Sequence, residues 1–294
     1  MNGATVPLPE TDTLIAYPDG ATTSTGTVLH NESIDGGRTA VILDTTAFHP
    51  VDTAWPDQPA DRGTLTTGAG TRPILDAVTG GIHDGRLHLG ADLPVRTGTE
   101  GWTFVVAHII EGSPPEVGAT ADVRVDEGYR AALSAGHTAC HLAALALDIA
   151  LADAWTKPAP TDSLGNPAFD SLAIQRSVIG EHRSTDIYRI GKSLRRKGFN
   201  PAVLDDPDAI AATANQHLAA WVAAGGKVGI ERDAPALSAR RNWTCELGLE
   251  SARIPCGGTH LTNLDQFASI TVALTVVDVE GGRELTMNTS ARTR

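Results

Sequence analysis

Two short stretches carry the residue types best suited to chemistry. HTACH spans residues 137–141 and CGGTH spans residues 256–260. Each sets two metal-ligand types four positions apart: His137 with His141, and Cys256 with His260. On a helix, positions i and i+4 share a face, so His137 and His141 can aim at one point. Gly257 and Gly258, between Cys256 and His260, allow the backbone a tight bend that turns both side chains inward. Cys and His are borderline-soft ligands, and together the pairs make a His3Cys set suited to zinc. A zinc-peptidase helix would need Glu directly after its first His; here Thr138 follows, which disfavours that chemistry. A histidine pair alone is also met as a polar seam, and a lone cysteine as a small buried hydrophobe. Neither explains two such spaced pairs.

A second feature is electrostatic. YRIGKSLRRKGF, residues 188–199, carries Arg189, Lys192, Arg195, Arg196 and Lys197 with no acid among them, in a chain of formal net charge −12. The overall charge argues against broad, non-specific nucleic-acid binding. The local run reads either as a solvated helix face or as a contact to a phosphate backbone. His83, His88 and His108 fall on strands with no partner spacing, His182 reads either as a phosphate contact or as solvent-exposed, His217 reads as a half-buried surface histidine, and Asp44 and Asp61 read as turn organisers.

The elements that must position these residues fall into two sets. RTAVILDTTAFHP, GGIHDGRLHLG and GWTFVVAHII read as strands, the second as a hairpin turning at Asp84-Gly85. Gly and Pro at short intervals make this part a small β-barrel or sandwich. From about residue 127 an Ala- and Leu-rich helical pattern begins, with Gly136 marking a helix start or a bend. Residues 156–167 form a loop, and Asp206 or Asp208 caps a helix ending at Gly225-Gly226. KVGIERDAP reads as strand and turn, and the tail as two strands joined at Gly281-Gly282. The expectation is α+β, with a β-barrel domain at 1–125 and a metal-binding domain at 126–294.

With 294 residues, 41% of them hydrophobic, the chain suits one large domain or two ordinary ones. It has no apolar run long enough to span a bilayer and no secretory signal pattern. Its three cysteines are odd in number and unevenly spaced, which favours a reducing compartment. A cytoplasmic protein without membrane or DNA partners is expected.

The paired motifs resemble those of the editing domain of alanyl-tRNA synthetase and its freestanding AlaX-type trans-editing relatives, whose patterns are HTATHLL and CGGTHV. This sequence differs at Cys140 and Leu261. Upstream, residues 43–65 are similar to the family stretch D-x-T-x-F-Y-P-x-G-G-G-Q-P-x-D-x-G, keeping Phe48, Pro50, Gln58, Pro59, Asp61 and Gly63. The resemblance covers about residues 25 to 280. It implies a β-barrel followed by an editing domain of the type shared with threonyl-tRNA synthetase. It also implies Zn2+ held by His137, His141, Cys256 and His260. The implied activity is hydrolysis of the ester joining a wrong amino acid to tRNA, a translation-fidelity function, with serine or glycine on alanine tRNA as usual substrates.

An aminoacyl ester is already activated, so the enzyme needs to place a water, polarise the carbonyl and hold the ribose. Thr138 and Thr259, each beside a ligand, are candidates to position that water or to support the ligands. Arg189, Lys192, Arg195, Arg196 and Lys197 are candidate tRNA contacts. The family's triple glycine is replaced by DTAWPD, residues 52–57, where Trp55 is either a base-stacking residue or a loop anchor. The segment between the metal motifs also departs from the synthetase pattern. A subgroup removing threonine, or a threonine analogue, from threonine tRNA would fit. No ATP-binding synthetase core is visible. The rival readings are a metallohydrolase of a free ester or amide, and a non-catalytic tRNA-binding module with structural zinc.

Overall fold

The computed structural model describes residues 7–294. Strand exceeds helix, 43% against 24%, and the elements form an α+β arrangement with a curled antiparallel sheet. The chain divides into two compact units. The first holds the described residues up to Arg130, with Ile230–Arg241 and Gly257–Thr259 returning to it. The second holds Ala131–Gly229, Asn242–Cys256 and His260–Arg294.

The first unit is built on β1 (Leu14–Ile15), β2 (Thr23–Ile34), β3 (Arg38–Leu43), β4 (Thr45–Thr46), β5 (Gly63–Thr67), β6 (Gly70–Ile74), β7 (Asp76–His83), β8 (Arg86–Leu89), β9 (Thr103–Glu111) and β10 (Thr120–Val125). Eight of these make one antiparallel sheet, in the order β6-β5-β10-β2-β3-β9-β7-β8, while β1 pairs with β4 in parallel. The sheet curls as a half-barrel with β6 and β8 at its edges, which agrees with the expected small β-barrel or sandwich in its coarse form, a curled antiparallel sheet. The apolar runs of β3 and β9 are buried on both faces. Val41, Leu43, Phe104, Val106 and Ile110 join one apolar cluster, and Ala40, Ile42, Val105, Ala107 and Ile109 join another. A strand covered on both sides needs no polar alternation, which accounts for AVIL and FVVAHII in the sequence. The β7–β8 hairpin turns at Asp84 (φ 47°) and Gly85 (φ 70°), the left-handed pair that a two-residue hairpin requires.

The returning segment is held by backbone pairing: Ile15 N–H donates to the Pro235 carbonyl at 2.9 Å and Leu237 N–H to that of Thr13 at 3.0 Å. Leu237 is 2% exposed and completes the first cluster. Asp61, expected merely to organise a turn, is buried and ion-paired with Arg130; its Oδ2 also takes the His49 amide at 2.6 Å. His108 is also buried, its ring bonded to Thr46 Oγ1 at 2.9 Å and the Val41 carbonyl at 3.1 Å.

The remaining elements are α1 (Glu127–Ala150), α2 (Phe169–Ala173), β11 (Ile174–Gly180), β12 (Arg183–Ile190), α3 (Lys192–Arg196), α4 (Pro207–Ala224), β13 (Val228–Arg232), β14 (Arg241–Leu247), β15 (Glu250–Pro255), β16 (Phe267–Val279) and β17 (Gly282–Thr293). In the second unit an antiparallel sheet runs β11-β12-β17-β16. α4 lies on β16, where Asn215 exchanges two hydrogen bonds with the Val272 backbone. Asp206 caps α4 by accepting the Ala209 amide at 3.0 Å, and Gly225 (φ 69°) ends it. Gly136 neither starts nor interrupts α1: it sits mid-helix against the β11–β12 turn. A Cβ there would lie 2.2 Å from the Gly180 carbonyl oxygen and 2.7 Å from that of Arg183. The glycine serves close approach between helix and turn. No helix among the described residues is long and apolar enough to cross a membrane.

Candidate metal centre

Within the second unit, α1 presents His137 and His141 one turn apart, their ring centroids 4.9 Å from each other. The β14–β15 hairpin ends at Pro255, so Cys256 follows directly from its second strand. The His260 ring lies 4.3 Å from that of His137 and 5.2 Å from that of His141. Cys256 Sγ is 3.5 Å from His137 Nε2 and 3.3 Å from His260 Nε2. One ligand atom from each of the four residues lies within 4.8 Å of all the others, so the cluster is able to hold a metal ion.

Two observations test the fit. Metal bonds of about 2.1 Å to nitrogen and 2.3 Å to sulfur, at the tetrahedral angle, set neighbouring ligand atoms about 3.6 Å apart. The sulfur–nitrogen separations match that edge. Secondly, His141 Nε2 is enclosed and has no hydrogen-bond partner among the described residues. A buried unpaired nitrogen calls for an explanation, and a metal ion supplies one. Burial lowers the His141 pKa to about 4, so the ring is neutral at pH 7 and its lone pair is available. Fully buried Trp243 backs the cluster, its ring centroid 4.9 Å from that of His141.

Thr138 is wholly buried; its hydroxyl takes the Leu261 amide at 3.1 Å and lies 3.3 Å from His260 Nδ1. Were Nε2 to hold an ion, Nδ1 would carry the proton and donate to that hydroxyl, and the contact would fix the tautomer of His260. Thr259, in the first unit, is clamped by Gln58: the side-chain amide donates to its hydroxyl at 2.9 Å, and its N–H donates to Gln58 Oε1 at 3.1 Å. Both threonine hydroxyls are thus engaged by protein. Gly257 and Gly258 do not have the positive φ of a tight glycine bend. Gly257 instead leaves room for Arg241, whose Nη2 would lie 3.1 Å from a Cβ at position 257.

Cys140, where the first motif departs from the pattern, is not in the ligand set. Its thiol faces Asp186 Oδ1 at 3.4 Å, in a buried net with Ser177 and Ser184. Burial pushes that thiol well above its usual pKa, and the Asp186 charge adds to the shift, so Cys140 stays protonated and unreactive.

The basic segment does not form one helix face. Arg189 lies on β12, and its guanidinium donates to the Glu280 carbonyl at the β16–β17 turn. Lys192, Arg195, Arg196 and Lys197 are exposed on α3 and just beyond it. His182 occupies the β11–β12 turn with φ 56°, donating its amide to the Ala132 carbonyl at 2.9 Å. His217 is half-buried beside Trp221, and Trp55 is 44% exposed.

Sequence reasoning passed over Arg130, Trp243 and Arg241. Only Gln58 carried a signal, as a retained position of the upstream motif. Comparison with protein-family models and with curated protein sequences finds no match to the chain.

Proposed function

We propose that the protein is a zinc-dependent aminoacyl-tRNA deacylase acting in trans, of the alanyl-tRNA synthetase editing type that its motifs resemble. One observation carries this reading: residues from HTACH and CGGTH, more than a hundred positions apart, converge as a His3Cys cluster with ligand-atom spacings suited to a tetrahedral ion. On the same reading, the second unit, with its four-stranded antiparallel sheet and α1, is an editing domain, and the half-barrel stands for the family's N-terminal barrel.

When bound, zinc supplies a Lewis-acidic centre at His137, His141, Cys256 and His260. The residues of the chain do the rest. Thr138 holds His260 in one tautomer, and Gln58 holds Thr259. Lys192, Arg195, Arg196 and Lys197 meet phosphates of the tRNA, while Arg189 is partly committed to Glu280. Exposed Trp55 is available to stack on a base. Hydrolysis adds water across the ester, releasing the amino acid and the ribose hydroxyl. Serine or glycine on alanine tRNA, or threonine or an analogue on threonine tRNA, are the candidate substrates, and the setting is cytoplasmic translation.

The test is ester loss from tRNAs charged with serine, glycine, alanine and threonine, with and without chelator, for wild type and His141→Ala. Chelator-sensitive release of one non-cognate amino acid is expected, with a rate that falls steeply as salt rises. Full activity in folded, zinc-free His141→Ala refutes the metal's role. No activity on any charged tRNA favours a hydrolase of a free small ester or amide.

A further inference from the structure

The helix that carries two of the four ligand types, α1, is fixed to the sheet of its own unit along a second stripe. Gly136 and Cys140 stand one turn apart, and each directly precedes a histidine of the cluster, His137 or His141. The two stripes lie about 100° apart round the helix. The Gly136 stripe faces the β11–β12 hairpin. A Cβ on Gly136 would lie 2.2 Å from the Gly180 carbonyl oxygen, and the Cys140 thiol lies 3.4 Å and 3.7 Å from the two carboxylate oxygens of Asp186.

Asp186 is itself held firmly. It is 2% exposed and sits in β12, a strand paired on both sides, opposite Ser177 of β11 and Met287 of β17. The Ser177 hydroxyl donates to Oδ1 at 2.5 Å and that of Ser184 to Oδ2 at 2.9 Å, so the carboxyl is oriented independently of the thiol. Donors from α1, β11 and β12 thus converge on one side chain. A buried carboxyl served by hydroxyls and a thiol rather than a cation is unfavourable to bury, and the best-attested use of such a group is to fix register between packed elements.

Helix rotation is what this contact governs. Turning α1 by about 20° would carry a side-chain tip, about 5 Å from the axis, through roughly 2 Å. Metal bonds tolerate about 0.2 Å, so two histidines of one helix share an ion only while its rotation is held to about 2°. Backbone contact at Gly136 limits how near the helix comes. The directional contact from Cys140 to Asp186 sets how it is turned.

We propose that Asp186, oriented by Ser177 and Ser184 and bonded to Cys140, is a positioning residue that sets the rotation of α1 so that His137 and His141 address one metal ion together with Cys256 and His260. The inference rests on the metal reading of that cluster and is independent of which ester the protein cleaves.

The test is titration of Co2+ into the zinc-free full chain, followed by the visible absorption of tetrahedral cobalt and its thiolate band. It is run on wild type, Cys140→Ala, Cys140→Ser and Leu218→Ala, with the urea midpoint of each metal-free protein measured alongside. Leu218 is fully buried on α4 and outside the net, so its variant reports loss of stability alone. Cys140→Ala should weaken Co2+ about tenfold or more and diminish the tetrahedral absorption, and Cys140→Ser, which keeps a donor, should restore both. Leu218→Ala should unfold at lower urea yet bind Co2+ as wild type does. Wild-type affinity and spectrum in Cys140→Ala overturn the proposal, and so does an equal loss of affinity in Leu218→Ala. Should Cys140→Ala fail to fold, Ser184→Ala, which releases Asp186 Oδ2, must weaken Co2+ in the same way, and undiminished affinity there overturns it equally. No cobalt binding by wild type would retire the metal reading itself, and the positioning role with it.

Discussion

Replacing Gly136 by Ala tests how α1 is held. In an exposed helix interior this change stabilises by about 1 kcal/mol, because alanine loses less backbone entropy. Here the added Cβ falls 2.2 Å from the Gly180 carbonyl oxygen and 3.0 Å from the Arg183 amide nitrogen. Ordinary contact is longer by roughly 1 Å, and the obstructing atoms are backbone, so neither side yields by a rotamer change. Overpacking of this kind costs about 3 kcal/mol, which leaves a net loss of about 2 kcal/mol after the helical gain. For a unit of this size that is roughly 4–8 °C in Tm. Gly128 is the internal control: it lies in the same helix, and a Cβ there meets only Asp126 Oδ1, at 3.5 Å. Urea unfolding should therefore show Gly136→Ala destabilised and Gly128→Ala neutral or up to about 1 kcal/mol more stable. If Gly136→Ala unfolds at or above the wild-type midpoint, the close approach of α1 to the β11–β12 turn is wrong.

Two further perturbations address the site and its surroundings. Thr138→Val removes the hydroxyl shared by His260 Nδ1 and the Leu261 amide, and, on the proposed zinc reading, should weaken metal affinity about 10–100-fold in chelator competition, with Thr138→Ser restoring it; undiminished affinity in the valine variant would exclude Thr138 as a support of His260. Asp148, on α1 and 3% exposed, has its pKa raised to about 9, mainly by burial. The folded state then holds a proton that the unfolded chain releases near pH 4, so this carboxyl's contribution to stability falls as pH rises from about 4 to 9. Asp148→Asn keeps the acceptor for the Asp170 amide and should raise stability at pH 8 by on the order of 2 kcal/mol, with little gain at pH 4; an equal gain at both pH values would show that the effect is not protonic.

Much of the local structure is written in neighbouring residues. Asp84-Gly85 specifies its hairpin because both positions must adopt positive φ. Asp206, Pro207 and Gly225 delimit α4 through a cap, a preset φ and a left-handed stop. The i, i+4 spacing of His137 and His141 determines that they share a helix face whatever the fold around them. Gly136 shows where such reading stops. In sequence it looks like a break in a helix; its use is to admit a carbonyl from a turn more than forty residues away, which local propensity does not encode.

The four ligand types and their spacing within each motif thus belong to the sequence. That HTACH and CGGTH meet, that the Thr138 hydroxyl meets His260 of the other motif, and that Arg189 turns to Glu280 rather than joining an α3 face were decided only by tertiary packing. Propensity and capping act over a few residues, whereas the burial that enforces polar pairing depends on segments brought together from far along the chain.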